Sequence, residues 1–281
     1  MSNGKWKEEE LFYLKENYQT KTYAEIAEYL GRSKSAVDLK INRLGLKKSK
    51  YIYNHGFFKK IETEQQAYWL GFIFADGCVT HNKETNSCEL CIKIQAKDAG
   101  HLRKFNKSLN GNIDVRIEDR LCNLNNKMHS SAIIRLYSKE LVFDLINLGV
   151  IPNKSIVKQF PNIKEELLQH FIRGYFDGNG CIAVANKKYG YLRADFTCGS
   201  IKFLEVLREK LYSVGIFSHI HQEKENTYRL CVYGQENCDN FFKYIYHNQN
   251  ICLDRKLSKQ IKLYKEFNCE QRLLRSSEMT G

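Results

Sequence analysis

The nine-residue stretch WLGFIFADG, Trp69–Gly77, decides the fold predicted for this chain, because it recurs as IRGYFDGNG, Ile172–Gly180. Each copy is largely apolar, has a glycine at its third position, and ends in a polar residue followed by a glycine. Helix-forming residues precede both copies, and glycine is common at the position just after a helix, often in the left-handed conformation. Both copies are therefore predicted to be the last turns of helices that stop at Gly77 and Gly180.

The two predicted helices share a stripe of small residues. Gly71 and Ala75 lie four positions apart in the first helix, as do Gly174 and Gly178 in the second, which places each pair on one helix face. Small residues at this spacing allow two backbones to approach closely. The pattern predicts that the two helices pack against each other. Two separate amphipathic core helices would not account for the match between the copies.

Asp76 lies in the last turn of the first predicted helix. The helix dipole is negative there, so that a carboxylate lowers the stability of the helix unless a cation lies beside it. The second copy has Asn179 at the equivalent position and Asp177 two residues earlier. Two residues along a helix correspond to a rotation of about 200°, so Asp177 is not expected to replace the missing carboxylate.

Both stretches resemble the nine-residue signature of the LAGLIDADG homing endonucleases, and the resemblance extends over roughly residues 64–265. It implies a metal-dependent DNA endonuclease in which the acidic residue at the eighth signature position binds Mg²⁺ or Mn²⁺, one residue from each repeat. Asp76 matches this pattern and Asn179 departs from it. Because an amide oxygen binds a cation without neutralising it, we expect weaker metal binding in the second half and slow or absent cutting of one strand.

The resemblance also implies supporting residues in each half. A lysine is expected near each metal, and the order along the chain assigns this role to Lys154 and Lys256. A polar residue is expected at the end of the second strand of each repeat, which assigns Gln95 in the first half and Thr197 in the second. Asp76, Asn179, Lys154, Lys256 and Gln95 are thus the predicted catalytic set, with Asp76 and Asn179 as the metal ligands.

After each signature the hydrophobic pattern changes to a period of two, and strands and helices then alternate. This order predicts an α+β fold of two pseudo-symmetric αββαββα repeats, at residues 64–163 and 164–281, that together form a saddle. Polar residues alternate along the predicted strands, as on any solvated sheet, but their recurrence in both halves favours a DNA-reading face. The predicted contacts there are Lys93, Arg116, Arg135, Arg193 and Arg229.

Residues 1–50 predict a small all-α module, followed by a basic linker at residues 51–63. Thr22 and Ser33 suit helix N-caps, and Gly31 suits a tight turn between the second and third helices. The module resembles Myb-like or resolvase-like helix-turn-helix domains, whose third helix contacts DNA. The residues expected to do so are Lys34, Ser35, Lys40 and Arg43. A helical protein-interaction module with a basic face is the alternative.

The composition agrees with a nucleic-acid partner. The net charge is +12 and the isoelectric point about 9.1, which favours a polyanion. No apolar stretch reaches the roughly 20 residues of a membrane span, no signal peptide is apparent, and the ten cysteines form no paired framework, as in a reducing compartment.

We therefore expect an intron-encoded, cytoplasmic monomer, with no membrane partner, that binds a long asymmetric site in double-stranded DNA. Two alternatives stay open: a DNA-binding regulator that has lost cleavage, and an intron-RNA maturase of the same fold.

Overall fold

A computed structural model of the chain describes residues 5–19, 21–46, 51–122, 127–152, 158–186 and 191–278. The chain divides into two compact units. The first consists of Met1–Asn54 with Asn110–Ile113, and the second of His55–Leu109 with Asp114–Gly281. The second unit contains both signature stretches.

The first unit contains the helices α1 (Glu8–Asn17), α2 (Tyr23–Leu30) and α3 (Lys34–Arg43). The predicted N-caps are present: the Thr22 hydroxyl accepts the Glu25 N–H at 3.2 Å, and the Ser33 hydroxyl accepts the Ala36 N–H at 3.2 Å. Gly31 ends α2 with a positive φ of 61°, a conformation that glycine adopts without strain. The small core of this unit is formed by Leu14, Ile26, Ala27, Val37 and Ile41.

The second unit repeats one order of elements. The first copy comprises α4 (Glu64–Asp76), β1 (Gly77–Asn82), β2 (Ser87–Gln95), a 3-10 turn (Ala96–Asp98), α5 (Ala99–Ser108), β3 (Arg116–Cys122), β4 (Lys127–Leu136) and α6 (Lys139–Asn147). The second comprises α7 (Glu165–Asn179), β5 (Gly180–Asn186), β6 (Tyr191–Cys198), α8 (Ile201–Ser213), β7 (His219–Lys224), β8 (Thr227–Val232) and α9 (Gln235–Tyr246). A long helix follows, α10 (Asp254–Glu278), which the repeat pattern did not predict.

The strands form two antiparallel four-stranded sheets, in the orders β1-β2-β4-β3 and β5-β6-β8-β7. One face of each sheet is buried: Leu90, Ile92 and Ile134 belong to the core in the first sheet, and Phe196 and Leu230 in the second. The predicted α+β class and the two αββαββα repeats are confirmed. In the described part of the chain, no helix has the length and apolarity needed to cross a membrane.

α4 and α7 pack against each other along the predicted stripe of small residues. A Cβ atom added to Gly71 would lie 2.1 Å from the carbonyl oxygen of Phe171 and 2.8 Å from the Tyr175 nitrogen. A Cβ atom added to Gly174 would lie 1.9 Å from the carbonyl oxygen of Tyr68. Each glycine thus meets the backbone of the opposite helix, and neither position has space for a side chain.

Gly77 and Gly180 follow the helices at the predicted positions, but neither has the left-handed conformation that commonly ends a helix. Their φ angles are −75° and −79°, and their backbones are extended. A Cβ atom on Gly77 would lie 2.6 Å from the carbonyl oxygen of Ile73, and one on Gly180 would lie 2.1 Å from the Phe176 ring. Close packing therefore accounts for glycine at both positions.

A buried hydrogen-bond network joins the two repeats beside the paired helices. The Tyr68 hydroxyl donates to Asp177 at 2.8 Å and lies 2.9 Å from Nε2 of His101. Because the single hydroxyl proton goes to Asp177, Nε2 of His101 must be the donor to Tyr68. Nδ1 of His101 then carries no proton, and it is buried without a hydrogen-bond partner among the described residues. Burial lowers the pKa of His101 to about 3.

His101 is expected to make stability depend on pH. The unfolded chain takes up its histidine proton below the ordinary pKa of 6.5, whereas the folded protein does so only near a pKa of about 3. The free energy of unfolding should therefore fall as the pH decreases from 6.5, by up to about 1.4 kcal/mol per pH unit from this group. Urea unfolding between pH 6.5 and 4.5 should show a shallower decrease for His101→Gln than for wild type. The exposed His129→Gln control should keep the wild-type slope, and equal slopes for all three would contradict the assignment.

Candidate active site

The last residues of α4 and α7 line one cavity of about 440 Å³. Asp76 and Asn179, both half-buried, enter it from the two helix ends. Lys158, Thr197 and Asn226 are among its other lining residues. The predicted metal ligands of the two repeats therefore lie in one cavity.

The Asn179 amide is oriented by the neighbouring strand. Its Nδ2 donates to the carbonyl oxygen of Thr197 at 3.0 Å, which leaves Oδ1 as the end available to a ligand. Asp76 supplies carboxylate oxygens to the same cavity. Oxygen ligands from one carboxylate and one amide fit Mg²⁺, which takes few protein ligands and completes its shell with water and phosphate. The described residues contain no group of three or more His, Cys, Asp or Glu side chains suited to a metal.

A second cavity, of about 370 Å³, opens beside the first sheet. Asp76 lines it together with Gln95, Lys93, Ser131 and Arg255. Asp76 thus contributes to both cavities, whereas Asn179 lines only the larger of these two. The first half combines the carboxylate with the predicted strand-end residue Gln95.

The sheet register identifies the equivalent of Gln95 in the second half. Gly77 pairs with Ile92, and Gly180 pairs with Phe196. Ile92 and Phe196 are therefore equivalent. Three residues further on, Gly199 is equivalent to Gln95, and one residue further on, Thr197 is equivalent to Lys93. Thr197, the residue predicted from the sequence, lies two residues before Gly199 and lines the larger cavity. The second half therefore lacks a polar side chain at this point as well as a carboxylate.

Lys256 does not line either cavity, although sequence analysis assigned it to the site. Its Nζ donates to the carbonyl oxygens of Phe176 and Gly180 at the end of α7. Burial lowers the pKa of Lys256 to about 8. A lysine at the C-terminal carbonyls stabilises a helix end, so Lys256 holds the turn that carries Asn179.

Among the described residues that line the larger cavity, the basic one is Lys158, which the sequence analysis did not predict. Its Nζ donates to the carbonyl oxygen of Phe74 in the last turn of α4, and its side chain lines the cavity. Lys154, the sequence-based choice, lies outside the described residues. No periodic pattern distinguishes Lys158 from its neighbours, and only its approach to the end of α4 identifies it.

Asp177 does not line the larger cavity; it lies at the wall of the smaller one, and its oxygens belong to the buried network. It accepts hydrogen bonds from the hydroxyls of Tyr68 and Tyr246, both at 2.8 Å, and from the Leu253 N–H at 2.7 Å. Burial raises the pKa of Asp177. With its oxygens engaged in this way, Asp177 does not replace a carboxylate at position 179, as the helical rotation predicted.

The predicted DNA contacts differ in their surroundings. Lys93 and Arg116 are exposed on the first sheet, while Arg135 forms an ion pair with Glu89. In the second sheet Arg193 and Arg229 are ion-paired with carboxylates. In the first unit the predicted contacts all lie on α3: Lys34, Ser35 and Arg43 are exposed, and Lys40 is half-buried with its Nζ 5.8 Å from the centre of the Trp6 ring.

A comparison with protein families agrees with this geometry. Residues 166–246, which span most of the second repeat from α7 to α9, match the model of the LAGLIDADG-like domain. This part of the chain is similar to LAGLIDADG-like domains. The match includes the second signature stretch, Ile172–Gly180, and confirms the resemblance there; the first stretch lies outside the matched residues. No curated protein matches the chain.

Three solved structures are similar to this chain, and the first of them shows a shared fold. The homing endonuclease I-WcaI bound to its DNA recognition sequence is 14% identical, with a TM-score of 0.51 over 67% of this chain and 84% of that one. A variant of the homing endonuclease I-DmoI, in complex with its target DNA in the presence of magnesium, is 17% identical over 66% of this chain and 97% of its own, with a TM-score of 0.44. Full-length DUF199/WhiA from Thermatoga maritima is 16% identical over 81% and 72%, with a TM-score of 0.46.

Proposed function

We propose that this protein is a site-specific DNA endonuclease that hydrolyses phosphodiester bonds at the paired ends of α4 and α7, using Mg²⁺ or Mn²⁺, with a bias toward one strand. The observation that supports this most directly is the presence of Asp76 and Asn179 in one cavity at the junction of the two αββαββα repeats. The net charge of +12 suits a polyanionic substrate. The two pseudo-symmetric repeats suit a monomer on a long asymmetric DNA site.

The residues of this chain have separate tasks in such a reaction. Asp76 would hold a divalent cation in either cavity, and the Asn179 oxygen would add a neutral ligand in the larger one. The cation would supply an activated water and neutralise charge on the phosphate. Lys158 keeps a positive charge beside the larger cavity, and Gln95 offers an amide to solvent or phosphate in the smaller one.

The strand bias follows from two absences in the second half. Asn179 provides no negative charge, and Gly199 provides no side chain where Gln95 stands in the first half.

The same two differences favour a second candidate function, a DNA-binding regulator that no longer cuts. A DNA footprint that survives EDTA, with no cleavage of the bound site by the wild-type protein, would identify that function.

Asn179→Asp is expected to increase cutting of the slow strand by at least about tenfold, which corresponds to about 1.4 kcal/mol of transition-state stabilisation. The reason is that a second carboxylate strengthens the cation site in the larger cavity. The assay maps nicks and double-strand breaks in DNA that flanks the coding element, with that element removed. Asn226→Asp is the matched control, since it adds the same charge to another lining residue of this cavity. If both variants accelerate the slow strand equally, the added charge acts without direct coordination.

A further inference from the structure

The outer faces of the two sheets are not equivalent in charge. One cross-strand row of the first sheet reads Lys93, Ile133, Arg116. The row at the same register in the second sheet reads Thr197, Arg229, His221. Two cations in the first sheet thus correspond to a threonine and a histidine in the second, and the single arginine of the second row takes the middle position.

The cations of the first sheet are accessible. Lys93, Arg116 and Arg120 are exposed, and residues 116 and 120 share one face of β3 by strand alternation. None of the three forms an ion pair with an acidic side chain of the described residues. Neighbouring strands lie about 4.8 Å apart, so Lys93 and Arg116, on either side of β4, are separated by about twice that distance. This spacing suits separate phosphate groups.

The arginines of the second sheet already have acidic partners. Arg193 Nε lies 2.8 Å from the carboxylate of Asp195, which is almost fully buried. Arg229 Nη2 lies 2.5 Å from Glu223, and its Nη1 lies 3.9 Å from Asp195. The two guanidinium groups therefore share two carboxylates within the sheet face.

Paired and unpaired cations differ in what they contribute to DNA binding. A free lysine or arginine that binds a phosphate releases counterions from the DNA, and this release provides most of the salt-dependent affinity. To bind a phosphate, a guanidinium with a carboxylate partner must either separate from that partner or bring the carboxylate's negative charge close to the phosphate. Its contribution to electrostatic binding is correspondingly smaller.

We propose that the first sheet is the principal phosphate-binding face of this protein, and that the second sheet holds its DNA half-site mainly through non-ionic contacts. The proposal rests on the proposed function, because it assumes that both outer faces meet DNA. It assigns Lys93, Arg116 and Arg120 to the phosphates beside the cavity that contains Asp76 and Gln95. The half that contains both Asp76 and Gln95 would then also bind the DNA phosphates most strongly.

The test is the salt dependence of the dissociation constant for a long DNA duplex of random sequence. Each of Lys93→Gln, Arg116→Gln and Arg120→Gln should reduce the slope of log K against log salt by about 0.9. Arg193→Gln and Arg229→Gln should reduce it by much less. Thermal unfolding of each variant shows that the protein is folded before its slope is compared.

A variant expected to bind phosphate through one more cation provides an independent test. Glu223→Gln releases Arg229 and should steepen the salt slope by up to about 0.9, whereas Glu225→Gln, in the adjacent turn, should leave it unchanged. Equal reductions for the variants of both sheets, or no reduction for those of the first, would overturn the division between the sheets while leaving DNA binding intact. Absence of DNA binding by the wild-type protein would instead overturn the proposed function.

Discussion

Gly174→Ala is expected to destabilise the protein by about 3 kcal/mol or more, the upper end of the cost of overpacking a core. The added Cβ would lie 1.9 Å from the carbonyl oxygen of Tyr68 and 2.8 Å from its carbonyl carbon. These atoms belong to the backbone of α4, so no side-chain rotation relieves the contact. α4 and α7 would have to separate, and the packing between the repeats would be lost along the whole contact.

Urea unfolding provides the measurement for Gly174→Ala, with Gly71→Ala as its pseudo-symmetric partner, since a Cβ there would lie 2.1 Å from the carbonyl oxygen of Phe171. The control is Gly100→Ala in α5, where an added Cβ meets no atom within 4 Å. Removing a helical glycine at such an open position should stabilise by roughly 0.5–1 kcal/mol. A similar change at positions 100 and 174 would contradict the close approach of the two helices.

Asp76→Asn is expected to slow cleavage of both DNA strands by at least about a thousandfold, or roughly 4 kcal/mol of transition-state stabilisation. Asp76 lines both cavities, so its replacement removes the proposed carboxylate ligand from both. Asn179→Ala, by contrast, should affect one strand, because Asn179 lines only the larger cavity. Strand-specific labels on a cleavable duplex measure the two rates separately.

Two further readouts separate catalysis from binding and folding. DNA affinity of Asp76→Asn should stay within a few-fold of wild type, and thermal unfolding should show that the variant is folded. Glu209→Gln on α8, an exposed carboxylate remote from both cavities, is the charge-matched control. Full cleavage by Asp76→Asn would show that Asp76 is not a metal ligand, and loss of DNA binding would show that it acts before the chemical step.

The paired helices and the repeat order could be predicted because local patterns encode them. Spacing of small residues specifies which helix faces meet, and the change from helical to strand periodicity specifies the order of elements. The position of Asp76 at a helix end followed from the same pattern. The conformation of Gly77 could not be predicted. Glycine is required both where packing is close and where the backbone is left-handed, so the residue type alone does not distinguish the two.

The remaining features depend on pairing between distant parts of the chain. Gly199 becomes the equivalent of Gln95 only once the register of β5 with β6 is known. The ion pair of Arg229 with Glu223 depends on a register irregularity in β7. Lys158 reaches the end of α4 from a position 84 residues further along the chain. None of these contacts has a sequence spacing that distinguishes it from other candidate pairs.

The reciprocal glycine contacts also bear on how the two repeats can diverge during evolution. Gly71 and Gly174 meet backbone atoms, so substitutions in neighbouring side chains of the opposite helix leave this contact unchanged. The helix ends therefore keep their mutual position while the residues at those ends vary. A duplicated gene with this architecture can lose or retune one catalytic ligand without disturbing its packing. Asp76 and Asn179 differ at equivalent helix ends, a difference that this packing tolerates.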